Sequence, residues 1–254
     1  MSPKLTAFLL ILAAVLANVA FTALGSIFNY PDVLDEPAGR VLASFRDHEN
    51  AVRGWFTVLA LSAALLAPVA IGVGRLSAAR PMRAAVWVGI AAAVVQVIGL
   101  LRWPILVPGY ASDAASADPA AAAGGRDAFR TASAILGTTI GETLGYLLTA
   151  TWTVLVVVAL GRAFAGRWFP VLGGAAAALV LVGVLSPLDL PVVDTANFLG
   201  YVLWSVWLIA FAVAIVVRER RVAAAAPPST GNQRPAKARP SATTTNTVHV
   251  AVSR

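Results

Sequence analysis

Polar and apolar positions divide this chain into six long apolar stretches separated by more polar, charge-bearing ones. The stretches are Leu5–Phe28, Trp55–Gly74, Ala84–Val107, Ala134–Leu160, Phe169–Leu185 and Asn197–Val217. Each is close to or above the roughly 18 apolar residues that cross a bilayer. Together they hold two charged side chains, Arg102 in the third stretch and Glu142 in the fourth. In lipid the backbone must satisfy its own polar groups, so all six are predicted to be helices in spite of their valine and isoleucine. The fold class is therefore all-α, a polytopic membrane bundle with six transmembrane helices.

The connectors differ in character. Between the first two helices, NYPDVLDEPAGRVLASF places Pro37 just after Asp35 and Glu36, with the acids at the positive end of a helix. Val41, Leu42 and Phe45 would share one face of it, so a short amphipathic helix is expected on the outer surface. The third connector, GYASDAASADPAAAAGGRDAF, reads as a flexible linker. Residues 222–254, rich in Pro, Ala, Ser and Thr, read as a disordered basic tail behind a six-helix domain spanning 1–221. Lys4 followed by an apolar run resembles a signal peptide, but the run is long for one and is expected to stay as an anchor.

Composition agrees with the pattern. Apolar residues make up 59% and charged ones 12%, with mean hydropathy +0.79, and a soluble domain carries about twice that charge fraction. Arg and Lys sort between alternate loops. One side holds Lys4, Arg75, Arg80, Arg83, Arg162, Arg167, Arg218, Arg220 and Arg221, while most acids lie on the other. The positive-inside rule then puts both termini in the cytoplasm of a bacterial plasma membrane. The formal charge of +7 belongs to that topology and the tail, so it is no sign of a nucleic-acid partner. The absence of cysteine removes disulfides and thiolate chemistry.

A phrase recurs. LGYxLxxxW starts at Leu144 and again at Leu199, headed by Glu142 in one copy and Asn197 in the other. Both copies run from outside to inside, which suits a duplicated two-helix hairpin or two helices meeting one packing demand, and not an inverted repeat. Gly137, Gly141 and Gly145 form overlapping GxxxG units, and with Gly200 they are the expected helix-packing positions.

The polar residues inside the spans are the candidate site. A carboxylate in the bilayer centre costs roughly 2.5–3.5 kcal/mol and needs a partner, a proton or water. Counting from the inner boundary puts Arg102 and Glu142 at about the same height, roughly 27 Å at the helical rise. Asn197 lies level with them, with Tyr146 and Tyr201 close by and Asp189 and Asp194 in the loop above. Two readings stand side by side. Arg102 and Glu142 either pair to hold two helices together or line a pocket open to the outer leaflet.

NYPDVLDEPAGRVLASF, LLRWPILVP, GETLGYLLTATWTVL and NFLGYVLWSVWLIAF together resemble a bacterial family of small six-helix membrane proteins, domain of unknown function 4386. The resemblance covers about Leu5–Val217 and implies six helices, the plasma membrane and the prominence of Arg102, Glu142 and Asn197. It carries no activity with it.

Common catalytic constellations are missing: no HExxH, no P-loop, no GxSxG, no aspartate-rich diphosphate box, and two histidines that cannot build a metal cluster. No cofactor or metal is expected. The leading expectation is a non-catalytic protein that binds a lipid-like or hydrophobic small-molecule ligand, or a partner helix, near the outer leaflet. The alternatives are a membrane-embedded enzyme with Glu142 as general acid, and a small solute or proton carrier. The sequence leaves the oligomeric state open.

Overall fold

The computed structural model describes residues 1–188 and 190–225. Asp189 and residues 226–254, the greater part of the expected tail, lie outside the described residues. Among the described residues there is no strand. Six helical spans are long and apolar enough to cross a membrane: Pro3–Phe28, Glu49–Gly74, Arg80–Ala114, Pro119–Ala165, Trp168–Leu188 and Val192–Ala225. The protein is a multi-pass membrane helix bundle.

Local chemistry sets the ends and breaks. Helix α1 (Pro3–Phe28) starts where the Ser2 hydroxyl accepts the Leu5 N–H at 3.2 Å, with proline at its first position. It stops at Asn29, whose left-handed φ of 52° turns its N–H back to the Gly25 carbonyl. The second span is two pieces, α3 (Glu49–Ala64) and α4 (Leu66–Gly74), because Pro68 has no N–H for the Ala64 carbonyl. Pro104 and Pro108 likewise divide the third into α5 (Arg80–Ile105) and α6 (Val107–Ala114). The fourth span comprises α7 (Pro119–Ala132), a π-helix (Ser133–Leu144) and α8 (Gly145–Ala165), and its regular helix breaks at Gly161, where φ is 58°. Then follow α9 (Trp168–Val182), a 3-10 turn (Gly183–Leu188) and α10 (Pro191–Ala225), with which the described residues end. Residues 222–225, expected in the tail, are helical.

Each span lies beside its neighbours in sequence, and α10 returns to α1, so the six close into a ring. Inside that ring the two copies of LGYxLxxxW meet. Tyr146 and Tyr201 stand edge to face at 5.7 Å, and Trp152 and Trp207 at 6.0 Å. Outward, each copy grips the span that precedes it. Gly145 rests on Gln96 and Trp152 lodges over Gly89, both of α5. Gly200 rests on Leu179 and Val180, and Trp207 over Gly173, all of α9. The third and fourth spans and the fifth and sixth are thus matching hairpins, as the repeat suggests.

A cap covers one end. Helix α2 (Ala38–Asp47) is the amphipathic helix expected there, with Val41, Leu42 and Phe45 buried. The third connector differs from its expectation of a flexible linker: it folds as α6 and α7. Ala122, Gly125 and Phe129 recur at helical spacing and are buried, and Asp118 caps α7 by accepting the Ala120 N–H at 3.0 Å. Alanine is the best helix former, which a reading based on long apolar runs undervalues. Trp103, fully buried, is the centre of the cap core. It stacks on Phe56 at 4.7 Å and meets Phe28, Phe45 and Phe129.

Candidate functional site

The π-helix builds the wall of the site. Hydrogen bonds from i to i+5 are rare over more than one turn and gather at functional places; here the register persists for 12 residues. The Thr139 hydroxyl follows it, donating to the Ala134 carbonyl at 3.0 Å. The Gly137, Gly141 and Gly145 spacing had suggested an ordinary α-helical face. The face exists, but π geometry carries it from Gly137 to Leu144. All three glycines turn towards α5: Gly137 meets the Arg102 guanidinium, Gly141 the backbone of Gly99, and Gly145 the side chain of Gln96.

Arg102 lies in that interface and is 6% exposed. Its Nη1 donates to the Gly99 carbonyl at 2.6 Å, and its guanidinium sits 5.4 Å from the Trp103 ring centroid. Its Nε has no hydrogen-bond partner. Among the described residues no carboxylate lies within ion-pair distance of it; the ion pairs are Arg40–Glu36, Arg53–Glu49 and Arg130–Asp127, all on exposed helix surfaces. Arg102 and Glu142 therefore feel one another's charge without touching. The direct bridge that equal depth had suggested is not made, because depth fixes height and says nothing of the direction a side chain leaves its helix.

Glu142 is half-buried at the end of the π-helix, and Tyr146 follows at the start of α8. Asp194 reaches both electrostatically from the start of α10, where its Oδ1 accepts the Ser186 hydroxyl at 3.0 Å. Asn197 is nearly fully buried and satisfied, donating to the Val180 carbonyl at 3.0 Å. It packs against Gly183, as does Tyr146. Tyr201 closes the cluster from α10, lying against Thr149. Below it the polar groups pair among themselves: Gln96 donates to Thr149 at 2.7 Å, Trp204 to Thr153 at 2.8 Å, and Asn18 to Ser205 at 2.9 Å.

Tyr30 was not singled out from the sequence. It belongs to the site because the Asn29 turn swings it inward from the end of α1, against Phe56 at 5.2 Å. Burial, with Glu142 nearby, pushes its phenol up to about 12, so it remains a protonated donor at neutral pH. A left-handed Asn directly before Tyr-Pro was the available signal. Gly99, equally important, had none.

Between α6 and the junction of α7 with the π-helix the surface folds in. A crevice of about 410 Å³ is lined by Leu106, Tyr110, Ala128, Thr131, Ile135 and Leu136, among others. Leu106 is one helical turn beyond Arg102, and Leu136 directly precedes Gly137. Among the described residues no group of three His, Cys, Asp or Glu side chains gathers to hold a metal ion.

Residues 5–212 match the profile of a family described as Domain of unknown function (DUF4386). The chain belongs to the DUF4386 family. No curated protein and no solved structure matches it. The DUF4386 match takes in the first hairpin, the cap, every member of the polar cluster and most of the second hairpin, ending within α10.

Proposed function

We propose that this DUF4386 protein holds a lipid-like ligand by its polar end at the depth of the outer leaflet, in a bacterial plasma membrane with both termini cytoplasmic. The supporting observation is Arg102. A buried donor without an acceptor costs about 1–3 kcal/mol, and more when it is charged. Among the described residues Nε has no acceptor, and a ligand anion would supply one. The crevice at Leu106 and Leu136, one helical turn from Arg102 along α5, has the apolar lining that an acyl chain needs.

Arg102→Met separates this reading from a structural one. Replacing an unsatisfied buried charge with an apolar side chain of similar length is often neutral or stabilising. The melting temperature in mild detergent is expected to hold or rise, while the lipid copurifying one-to-one, read by native mass spectrometry, is lost. A large drop in melting temperature with unchanged lipid content sinks the proposal.

The orientation has its own test. The chain has no cysteine, so single introduced thiols report cleanly. Ser116→Cys, exposed in the loop between α6 and α7, should react with an impermeant maleimide on intact cells. Ala78→Cys, exposed between α4 and α5, should react only after permeabilisation. The reverse pattern overturns the topology.

A second reading, Glu142 as a general acid with Asp194 beside it, draws on the separation between Glu142 and Arg102. It predicts that the wild type yields a chemically altered ligand and Glu142→Gln the intact one.

A further inference from the structure

The two ends of the bundle treat their cations differently. At the capped end Arg40, Arg53 and Arg130 each pair with a nearby acid. At the other, where α1 starts and α10 finishes, no Arg or Lys side chain forms an ion pair among the described residues. The one acid described there, Glu219, is half-buried, with Oε2 shut away from solvent and unbonded. Residues 226–254 add Arg234, Lys237, Arg239 and Arg254 but no Asp or Glu. The chain thus offers this end a single enclosed carboxylate against many cations.

These cations are gathered, and they face outward. A crevice of about 160 Å³ lined by Pro3, Leu76, Phe164, Ile215, Arg218 and Glu219 brings together the start of α1, the α4–α5 connector and the ends of α8 and α10. Arg218 lies over the Phe164 ring at 5.3 Å, and Arg75 donates to the Met1 carbonyl at 3.2 Å. On α5, Arg80, Arg83 and Trp87 are exposed, and their spacing of three and four puts them on one face. Val94 and Ile98, also exposed, continue that face. On α9, exposed Trp168 and Val171 follow exposed Arg167 in the same order. Helices α5 and α9 flank α8, whose exposed Arg162 lies at the same end.

From the end of the bundle inward, both helices therefore present guanidinium, indole and aliphatic side chain. A phospholipid in the adjoining leaflet presents phosphate, glycerol ester and acyl chain in the same order, and tryptophan collects at the middle level. We propose that this end binds anionic phospholipid, with phosphates on Arg80 and Arg83 beside Trp87 and on Arg167 beside Trp168, and acyl chains along Val94, Ile98 and Val171. A net negative headgroup is selected over a zwitterionic one because no exposed carboxylate stands among these arginines to take an ammonium. The run of each face into exposed aliphatic side chains selects a lipid over a nucleic acid. This site is separate from Arg102, and its failure leaves the reading of Arg102 untouched.

The full-length protein in nanodiscs of mixed phosphatidylcholine and phosphatidylglycerol tests it, with retained lipid identified by native mass spectrometry. The wild type should retain phosphatidylglycerol enriched about fivefold over phosphatidylcholine, the factor that one surface arginine contributes. Raising the salt from about 0.05 M to about 0.5 M should lower the enrichment, since exposed charges are screened. Arg80→Gln, Arg83→Gln and Arg167→Gln together should return the ratio to near the bulk composition, while lysine at the same three positions should keep it. Arg40→Gln, Arg53→Gln and Arg130→Gln together, at the capped end, should leave it unchanged. No enrichment in the wild type, or equal enrichment in the wild type and the first glutamine variant, overturns the proposal. So does a loss in the capped-end variant as large as in the first, or a lysine variant that loses as much as glutamine does. The series is repeated with Arg102→Met, so that a lipid held at the other end is not counted; enrichment seen only with Arg102 in place overturns this site. Displacement by millimolar glycerol 3-phosphate at matched ionic strength would overturn the phospholipid as the source of the phosphate.

Discussion

Trp103→Ala is expected to lower stability in detergent by about 3–5 kcal/mol, the range for removing a buried aromatic side chain. Every side of the indole is occupied: Phe56 stacks on it with an interplanar angle of 6°, Phe28 and Phe129 meet it edge to face, and Phe45 lies tilted against it at 6.1 Å. These rings come from α1, α2, α3 and α7, so one truncation loosens four elements at once. Trp103→Phe should cost markedly less, because it keeps an aromatic ring and removes an indole N–H that is buried without a partner. The measurements are thermal unfolding followed by circular dichroism and limited proteolysis of the α6–α7 segment, which should be cut faster in the alanine variant. Equal losses in the two variants would show that the cap is not built around this ring.

The second large effect belongs to Gly99. A methyl there would stand 2.6 Å from the Gly141 Cα and 2.9 Å from the Leu136 carbonyl oxygen. Both are backbone atoms and cannot rotate away, so α5 and the π-helix must move apart. Gly99→Ala is expected to cost about 1–3 kcal/mol. It should also displace the carbonyl that holds Arg102, so bound lipid should fall with stability. Gly174→Ala is the control: no atom lies within 4 Å of the added methyl, and a helical glycine replaced by alanine gains up to about 1 kcal/mol. If Gly99→Ala behaves like Gly174→Ala, the close contact between α5 and the π-helix does not hold this end of the bundle together.

Much of this architecture is legible in the residues, because a bilayer leaves few choices. Runs of apolar side chains fix the spans, and Val41, Leu42 and Phe45 mark α2 by their spacing. Glycine and tryptophan, seven apart in each copy of the repeat, mark the face that grips a neighbour. What stays hidden depends on more than one segment at a time. The π register is a choice of hydrogen-bond partner, and the apolar pattern of SAILGTTIGETL is compatible with either register. Helices α6 and α7 bury small side chains against the cap, so their segments carry no long apolar run to find. Gly99 matters only through what stands opposite it. Counting puts Arg102 and Glu142 at one level, yet counting gives no azimuth, and azimuth decides whether two charges touch.

The matching hairpins invite a comparison inside the molecule itself. At the head of the repeat, the fifth and sixth spans carry Asn197, whose amide is tied to the Val180 carbonyl of its own hairpin. The third and fourth spans carry Glu142 at the same place, with no ion-pair partner among the described residues. One hairpin thus carries a neutral head bonded within itself and the other a carboxylate, on the same frame. The Asn197 copy is a built-in reference for the Glu142 copy: Glu142→Asn would give both hairpins the same head, and the difference between that variant and the wild type isolates what the carboxylate does.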